Sequence, residues 1–128
     1  MAKSFFVRAA EVPTYQPANH GGTTNRRLIS AETVGAKGVE MLIGVIEKGA
    51  GAERHAHPGI EQVCYLLEGT AVVELDGERC ELRAGDACYF PADRMHKLTA
   101  TSEQPVKVLV VYTPPYGESP DRVIKDSK

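Results

Sequence analysis

The stretch GAERHAHPGIEQVCYLLEG, residues 51–69, brings two histidines, an acid and an amide together just ahead of an apolar run. His55 and His57 stand at i and i+2, and a strand puts such residues on one face, about 7 Å apart along the chain. Two imidazoles so placed can share one divalent ion. Taken alone, a His-x-His pair is more often two exposed or hydrogen-bonded side chains than a metal site. The segment GDACYFPADRMHK, residues 85–97, strengthens the metal reading by bringing a third imidazole, His96, to the start of another strand signal. Imidazole nitrogen suits most first-row divalent ions. An oxygen donor would come from Glu61 or Gln62, and the two lie on opposite faces of a regular strand. Gln62, Cys64 and Leu66 share one face, whereas Glu61, Val63, Tyr65 and Leu67 share the other.

Strands have to carry these side chains, and the sequence is rich in short β signals. VEMLIGVIE (39–47), EQVCYLL (61–67), TAVVEL (70–75), DACYFP (86–91), HKLTA (96–100) and VKVLVVY (106–112) are apolar or alternating runs at close intervals. Asp76-Gly77 between two alternating runs is a strong hairpin signal. No segment shows a long helical period, so seven or eight strands with tight turns imply a sandwich or small barrel. The first thirty-odd residues contain Pro13, Pro17, HGG and NRR and read as an arm, with an edge strand expected at SFFVRA. The expected organisation is an N-terminal arm over 1–34, a barrel over 35–113 and a Pro/Gly-rich tail over 114–128.

Composition narrows the partners. The 128 residues are 42% hydrophobic, which suits one compact domain. Fifteen basic and 17 acidic residues leave a formal charge of −2, mixed along the chain without a basic stripe, so nucleic acid is not an expected partner. The start MAKSFFVRAAEVP is broken by Arg8, Glu11 and Pro13, and no run approaches membrane-spanning length; a cytoplasmic location is expected. Cys64, Cys80 and Cys88 show no CxxC spacing, which argues for reduced, mostly buried thiols.

In its two histidine segments the chain resembles a single-domain cupin. That family's first motif reads Gly, five residues, His-x-His, three or four residues, Glu, six residues, Gly; Gly49, His55, His57 and Gly69 match it here. Its second reads Gly, five residues, Pro-x-Gly, two residues, His, three residues, Asn; Gly85, Pro91 and His96 match. Asp93 replaces the internal glycine and Ala100 the asparagine. Asp tolerates the left-handed backbone that such a turn needs. The resemblance covers roughly residues 35 to 113 and implies an all-β jelly-roll barrel with a metal near its centre. Only Gln62 leaves six residues before Gly69, and the HPxxEQ wording resembles small cupins, including those acting on unsaturated sugar acids, in which glutamine replaces the ligand glutamate. The implied metal ligands are therefore His55, His57, Gln62 and His96, with Glu61 flanking them.

Three imidazoles and an amide are neutral, so a bound ion keeps its full charge in a low-dielectric interior and attracts anionic chelators. Four protein ligands leave positions open on an octahedral Mn, Fe, Co or Ni ion, while Zn remains a candidate. The expected function is Lewis-acid isomerase or lyase chemistry on a small keto acid, hydroxy acid or sugar acid. A non-haem metal dioxygenase and a non-catalytic metal or small-molecule binding domain are the alternatives. Proton-transfer candidates are Tyr112, which shares parity with Val106, Val108 and Val110, together with Glu61 and His20. His20 and the Arg26-Arg27 pair lie in the arm and read as an exposed turn, the alternative being that one of them closes over the mouth of the barrel. Unpaired sheet edges and the SFFV signal lead to an expected homodimer.

Overall fold

The computed structural model describes residues 4–17 and 21–125, and their regular structure is almost entirely β. The strands are β1 (Thr14–Tyr15), β2 (Thr23–Ile29), β3 (Glu40–Ile46), β4 (His55–Ala56), β5 (Glu61–Glu68), β6 (Thr70–Leu75), β7 (Glu78–Arg83), β8 (Ala87–Phe90), β9 (His96–Ala100), β10 (Val106–Thr113) and β11 (Ile124–Lys125). They form a six-stranded sheet ordered β1-β2-β3-β10-β5-β8 and a five-stranded sheet ordered β11-β4-β9-β6-β7. Every paired neighbour is antiparallel. From β3 onward the chain passes repeatedly between the two sheets, the winding of a jelly-roll sandwich. No helix among the described residues is long and apolar enough to cross a membrane.

Period-two patterning decides which side chains meet between the sheets. On β10, Val106, Val108, Val110 and Tyr112 are buried, as their shared parity requires. On β5, Gln62, Cys64 and Leu66 are buried while Glu61, Val63, Tyr65 and Leu67 are exposed. Leu42, Ile46, Leu66, Phe90, Val106 and Val108 belong to one core cluster, and burial of each such side chain contributes about 1.5–3 kcal/mol. Asp76 (φ 49°) and Gly77 (φ 83°) both adopt the left-handed backbone of a type I′ hairpin turn. Asp93 (φ 71°) does the same, and its side chain accepts a 3.0 Å bond from the Gly59 amide. Gly69 has φ 88° and a Cβ there would lie 3.1 Å from Val106 Cα, so this turn admits glycine for both conformation and space.

The ends of the chain depart from expectation. No strand forms at SFFVRA: Phe5 and Phe6 are 81% and 87% exposed, and Ala9–Glu11 make a turn of 3₁₀ helix. The sheet edge is Thr14–Tyr15 instead, paired with Asn25 and Arg26, while the Arg26 guanidinium holds the Ala9 carbonyl at 2.6 Å. Strand β2, within the segment read as an arm, lies inside the six-stranded sheet. Strand β11, within the segment read as a tail, pairs with β4 in the other sheet. One short helix, α1 (Ala31–Val34), follows β2, capped by Ser30, whose hydroxyl accepts from the Thr33 amide while the Thr33 hydroxyl accepts from the Ser30 amide.

Candidate metal centre

Two of the histidines reach a common point because short strands of the five-stranded sheet carry them, His55 on β4 and His96 on β9. β4 is only two residues long, and its link to β9 places His55 opposite His96. His57 follows directly as the chain turns towards β5. The ring centroids lie 4.8 Å (His55–His57), 4.5 Å (His55–His96) and 5.5 Å (His57–His96) apart, and the three residues offer ring nitrogens all within 4.8 Å of one another.

Main-chain carbonyls orient all three rings. Nδ1 of His55 lies 2.6 Å from the Glu53 carbonyl, Nδ1 of His57 lies 2.9 Å from that of Arg122, and Nδ1 of His96 lies 3.1 Å from that of Arg94. A carbonyl only accepts, so Nδ1 carries the proton and Nε2 keeps its lone pair. This is how proteins set a ligating histidine's tautomer. Burial holds His57 down to about 4, against the opposing effect of the Arg122 carbonyl. Burial also lowers His55. Both imidazoles are therefore neutral at pH 7, as a metal ligand requires.

Gln62 comes from the opposite sheet. Its register partners are Tyr112 and Phe90, so Glu40, Tyr112, Gln62 and Phe90 form one rung across β3, β10, β5 and β8. The Phe90 ring stacks on His96 at 4.0 Å and 3°. The Gln62 amide donates to Cys64 Sγ at 3.3 Å, leaving Oε1 buried and without a hydrogen-bond partner. His57 Nε2 is in the same condition. Buried polar atoms are nearly always satisfied, so these two orphans fit an ion that supplies the missing partner. A cavity of about 60 Å³ separates the sheets, lined by His55, Gln62, Cys64, Phe90, His96 and Tyr112, with Thr23 and Asn25 further along. Among the described residues lining it there is no carboxylate and no basic side chain other than imidazole.

The remaining sequence candidates separate. Tyr112 lines the cavity and lies 5.4 Å from the His57 ring, with burial pushing its hydroxyl well above its ordinary pKa. Glu61 is exposed on the outer face, where it accepts a bond from the Tyr89 hydroxyl. His20 lies outside the described residues. Arg27 belongs to a strand and forms a 2.9 Å ion pair with the buried Glu40.

Sequence reasoning missed the contribution of residues 114–125. Besides the Arg122 carbonyl, this segment brings the Tyr116 ring to 4.4 Å from His57. The Gly117 amide donates to Glu40 at 3.1 Å, tying the segment to the opposite sheet. Its Pro and Gly content reads as a loose tail, and the Ile124-Lys125 pair is too short to signal a strand.

The family model of the cupin domain matches residues 42–112, just over half of the chain. The chain is 29% identical over 107 residues to Polyketide synthase CurC of Streptomyces cyaneus, covering 84% of this chain and 70% of that protein. Among solved structures, KdgF from Halomonas sp. superposes with a TM-score of 0.77 at 22% identity, covering 91% of this chain and 98% of the other. The polyketide cyclase RemF from Streptomyces resistomycificus superposes with a TM-score of 0.74 at 24% identity, covering 90% and 81%. At these identities the structures speak for the fold, and with the sequence match they lead to one conclusion: the chain belongs to the cupin domain family.

Proposed function

We propose that the chain holds one divalent transition metal through Nε2 of His55, His57 and His96 and Oε1 of Gln62, and acts on a small, oxygen-rich anion such as a keto, hydroxy or sugar acid. The observation that carries this reading is that three of the four neutral donors, His55, His96 and Gln62, line a cavity of about 60 Å³ without a carboxylate, with the ring nitrogens of His57 within 4.8 Å of those of His55 and His96. A bound divalent ion would supply Lewis acidity towards a substrate carbonyl, favouring isomerisation or elimination. His57 and His55 stay neutral and keep a lone pair on Nε2. Tyr112 retains its proton, so it can donate a hydrogen bond to a substrate oxygen but not act as a base. Phe90, Leu42 and Val110 line the cavity and exclude bulk water, which strengthens polar contacts inside. Polyketide chains are themselves strings of enolisable carbonyls, so the sequence relative named for polyketide synthesis supports carbonyl activation.

A second reading, ligand binding without turnover, draws on the same lining: no described residue in the cavity is an evident general base. Metal analysis of wild type and His57→Ala tests the site, and a panel of keto, hydroxy and sugar acids assayed without oxygen tests the chemistry. About one metal per chain, lost in the variant, and anaerobic turnover with Mn, Co or Ni are expected. Turnover dependent on oxygen and ferrous iron would move the protein to the dioxygenase class. Ligand binding without turnover across the panel would establish the binding reading.

We also propose a homodimer through the outer face of the six-stranded sheet. Val45, Val63, Tyr65, Leu67 and Tyr89 are 38–50% exposed on that face, an apolar stripe that a second copy would cover. Light scattering at micromolar concentration should give twice the chain mass; a monomer mass rejects the proposal.

A further inference from the structure

Two of the three cysteines face each other across the six-stranded sheet. Cys64 on β5 and Cys88 on β8 are directly opposed in register. Opposed residues of antiparallel strands have Cα atoms about 4.5–5.5 Å apart and side chains on one face, within the roughly 4.4–6.8 Å that a disulfide spans. The neighbouring Cys64 thiol draws Cys88 towards its thiolate against the effect of burial, while Cys88 and burial together push Cys64 up. Their surroundings differ. Cys64 is 2% exposed and lines the inner cavity. Cys88 is half-buried and lines a separate cavity of about 130 Å³ with Leu75, Glu78 and Arg79, where the edge strands β7 and β8 leave the two sheets unjoined. Cys64 also accepts the Gln62 amide at 3.3 Å, a bond that fixes the amide while Oε1 of Gln62 stays buried without a partner.

We propose that Cys64 and Cys88 are a peroxide-sensitive thiol pair whose oxidation to a disulfide loosens Gln62 and the ion it holds. The part concerning the ion rests on the assignment of Gln62 as a ligand. Hydrogen peroxide enters from the outer cavity, and the Cys88 thiolate attacks one of its oxygens. An S–O bond forms, the O–O bond breaks, and the departing hydroxide takes a proton to become water. Cys64, giving up its proton, then attacks the sulfenic sulfur: the S–S bond forms, the S–O bond breaks and a second water leaves. The two thiols lose two electrons and the peroxide gains them. Drawn towards β8 and bonded to a second sulfur, Cys64 no longer serves the Gln62 amide as acceptor, so Oε1 is no longer held in place.

The test uses the full chain loaded with zinc, which is itself inert to peroxide. After hydrogen peroxide treatment, non-reducing peptide mapping should show Cys64 linked to Cys88. Transfer of zinc to a chelator should be about 10-fold faster or more, the scale on which outer partners of a ligand act, and dithiothreitol should reverse both changes. Cys80→Ser should behave as wild type, and Cys88→Ser should show neither change. Disulfides through Cys80, or a sulfinic acid at Cys88 with Cys64 still a thiol, overturn the pair. A Cys64–Cys88 disulfide that leaves zinc transfer unchanged overturns its effect on Gln62, provided reduced Gln62→Leu loses zinc faster than wild type. If reduced Gln62→Leu holds zinc as wild type does, the ligand assignment has failed and the disulfide stands alone.

Discussion

The two faces of β5 differ in a way that explains the centre. Glu61 and Gln62 are chain neighbours of nearly the same size, yet Glu61 is exposed and bonded to Tyr89 while Gln62 is 8% exposed and bonded to Cys64. A carboxylate between the sheets would have to shed its hydration, at a cost of several kcal/mol unless paired. The amide enters at far lower cost and would leave the charge of a bound ion uncompensated. On β5, charge therefore stays outside and the neutral amide goes inside, while Glu40, buried on the same rung, is paired with Arg27.

The largest expected effect comes from the apolar part of that contrast. Leu66→Ala, at a site with 0% exposure, should destabilise the fold by about 2–5 kcal/mol in urea titrations. Its neighbour Leu67, 39% exposed on the outer face, should lose no more than about 0.5 kcal/mol on the same change when the titration is run dilute enough for the chain to be monomeric. Equal losses would mean that the faces are not distinguished by burial.

Next comes the metal. Gln62→Leu should weaken metal retention by at least about 10–100-fold, measured by competition with a chelator. Glu61→Gln should leave occupancy unchanged. The reverse pattern would show that Glu61, not Gln62, serves the ion.

In the segment after β10 a half-buried carboxyl departs from that rule. Burial raises the Glu118 carboxyl above its ordinary value of 4.5, with Arg27 opposing the shift. A carboxyl raised by folding is stabilising while protonated, and that contribution fades as pH climbs through 4.5 and past the raised value. Glu118→Gln should therefore raise the melting temperature at pH 7 by a degree or more and leave it nearly unchanged at pH 4. A variant less stable at pH 7 would show that pairing with Arg27 outweighs burial. The smallest effect belongs to Glu61→Gln, whose loss of charge at an exposed bond to Tyr89 should change stability by no more than about 0.5 kcal/mol in the same melts.

Much of this architecture is local and was legible before the fold. Period-two alternation put Gln62, Cys64 and Leu66 on one face and aligned Val106 to Tyr112 inward, because a strand's pleat depends on nothing beyond the strand. Asp76-Gly77 made its turn because both residues tolerate positive φ. The edge strand failed at SFFVRA because pairing needs a partner, and β2 offers its free edge to Thr14–Tyr15 instead. Arg27 proved to be a strand residue because its partner, Glu40, is supplied by β3.

What the sequence by itself determined is therefore most of the strands from β3 to β10 and the inward facing of Gln62, Cys64 and Leu66, all properties of residues close along the chain. The tertiary structure alone decided that His57 is oriented by a carbonyl 65 residues away, that Tyr116 packs on its ring, that Phe90 stacks on His96, and that Cys64 meets Cys88. Each of these contacts depends on which strands lie side by side, and periodicity within a strand carries no information about its neighbour. Pairing is selected by the packing of the whole core, where many weak choices of register add up to one arrangement.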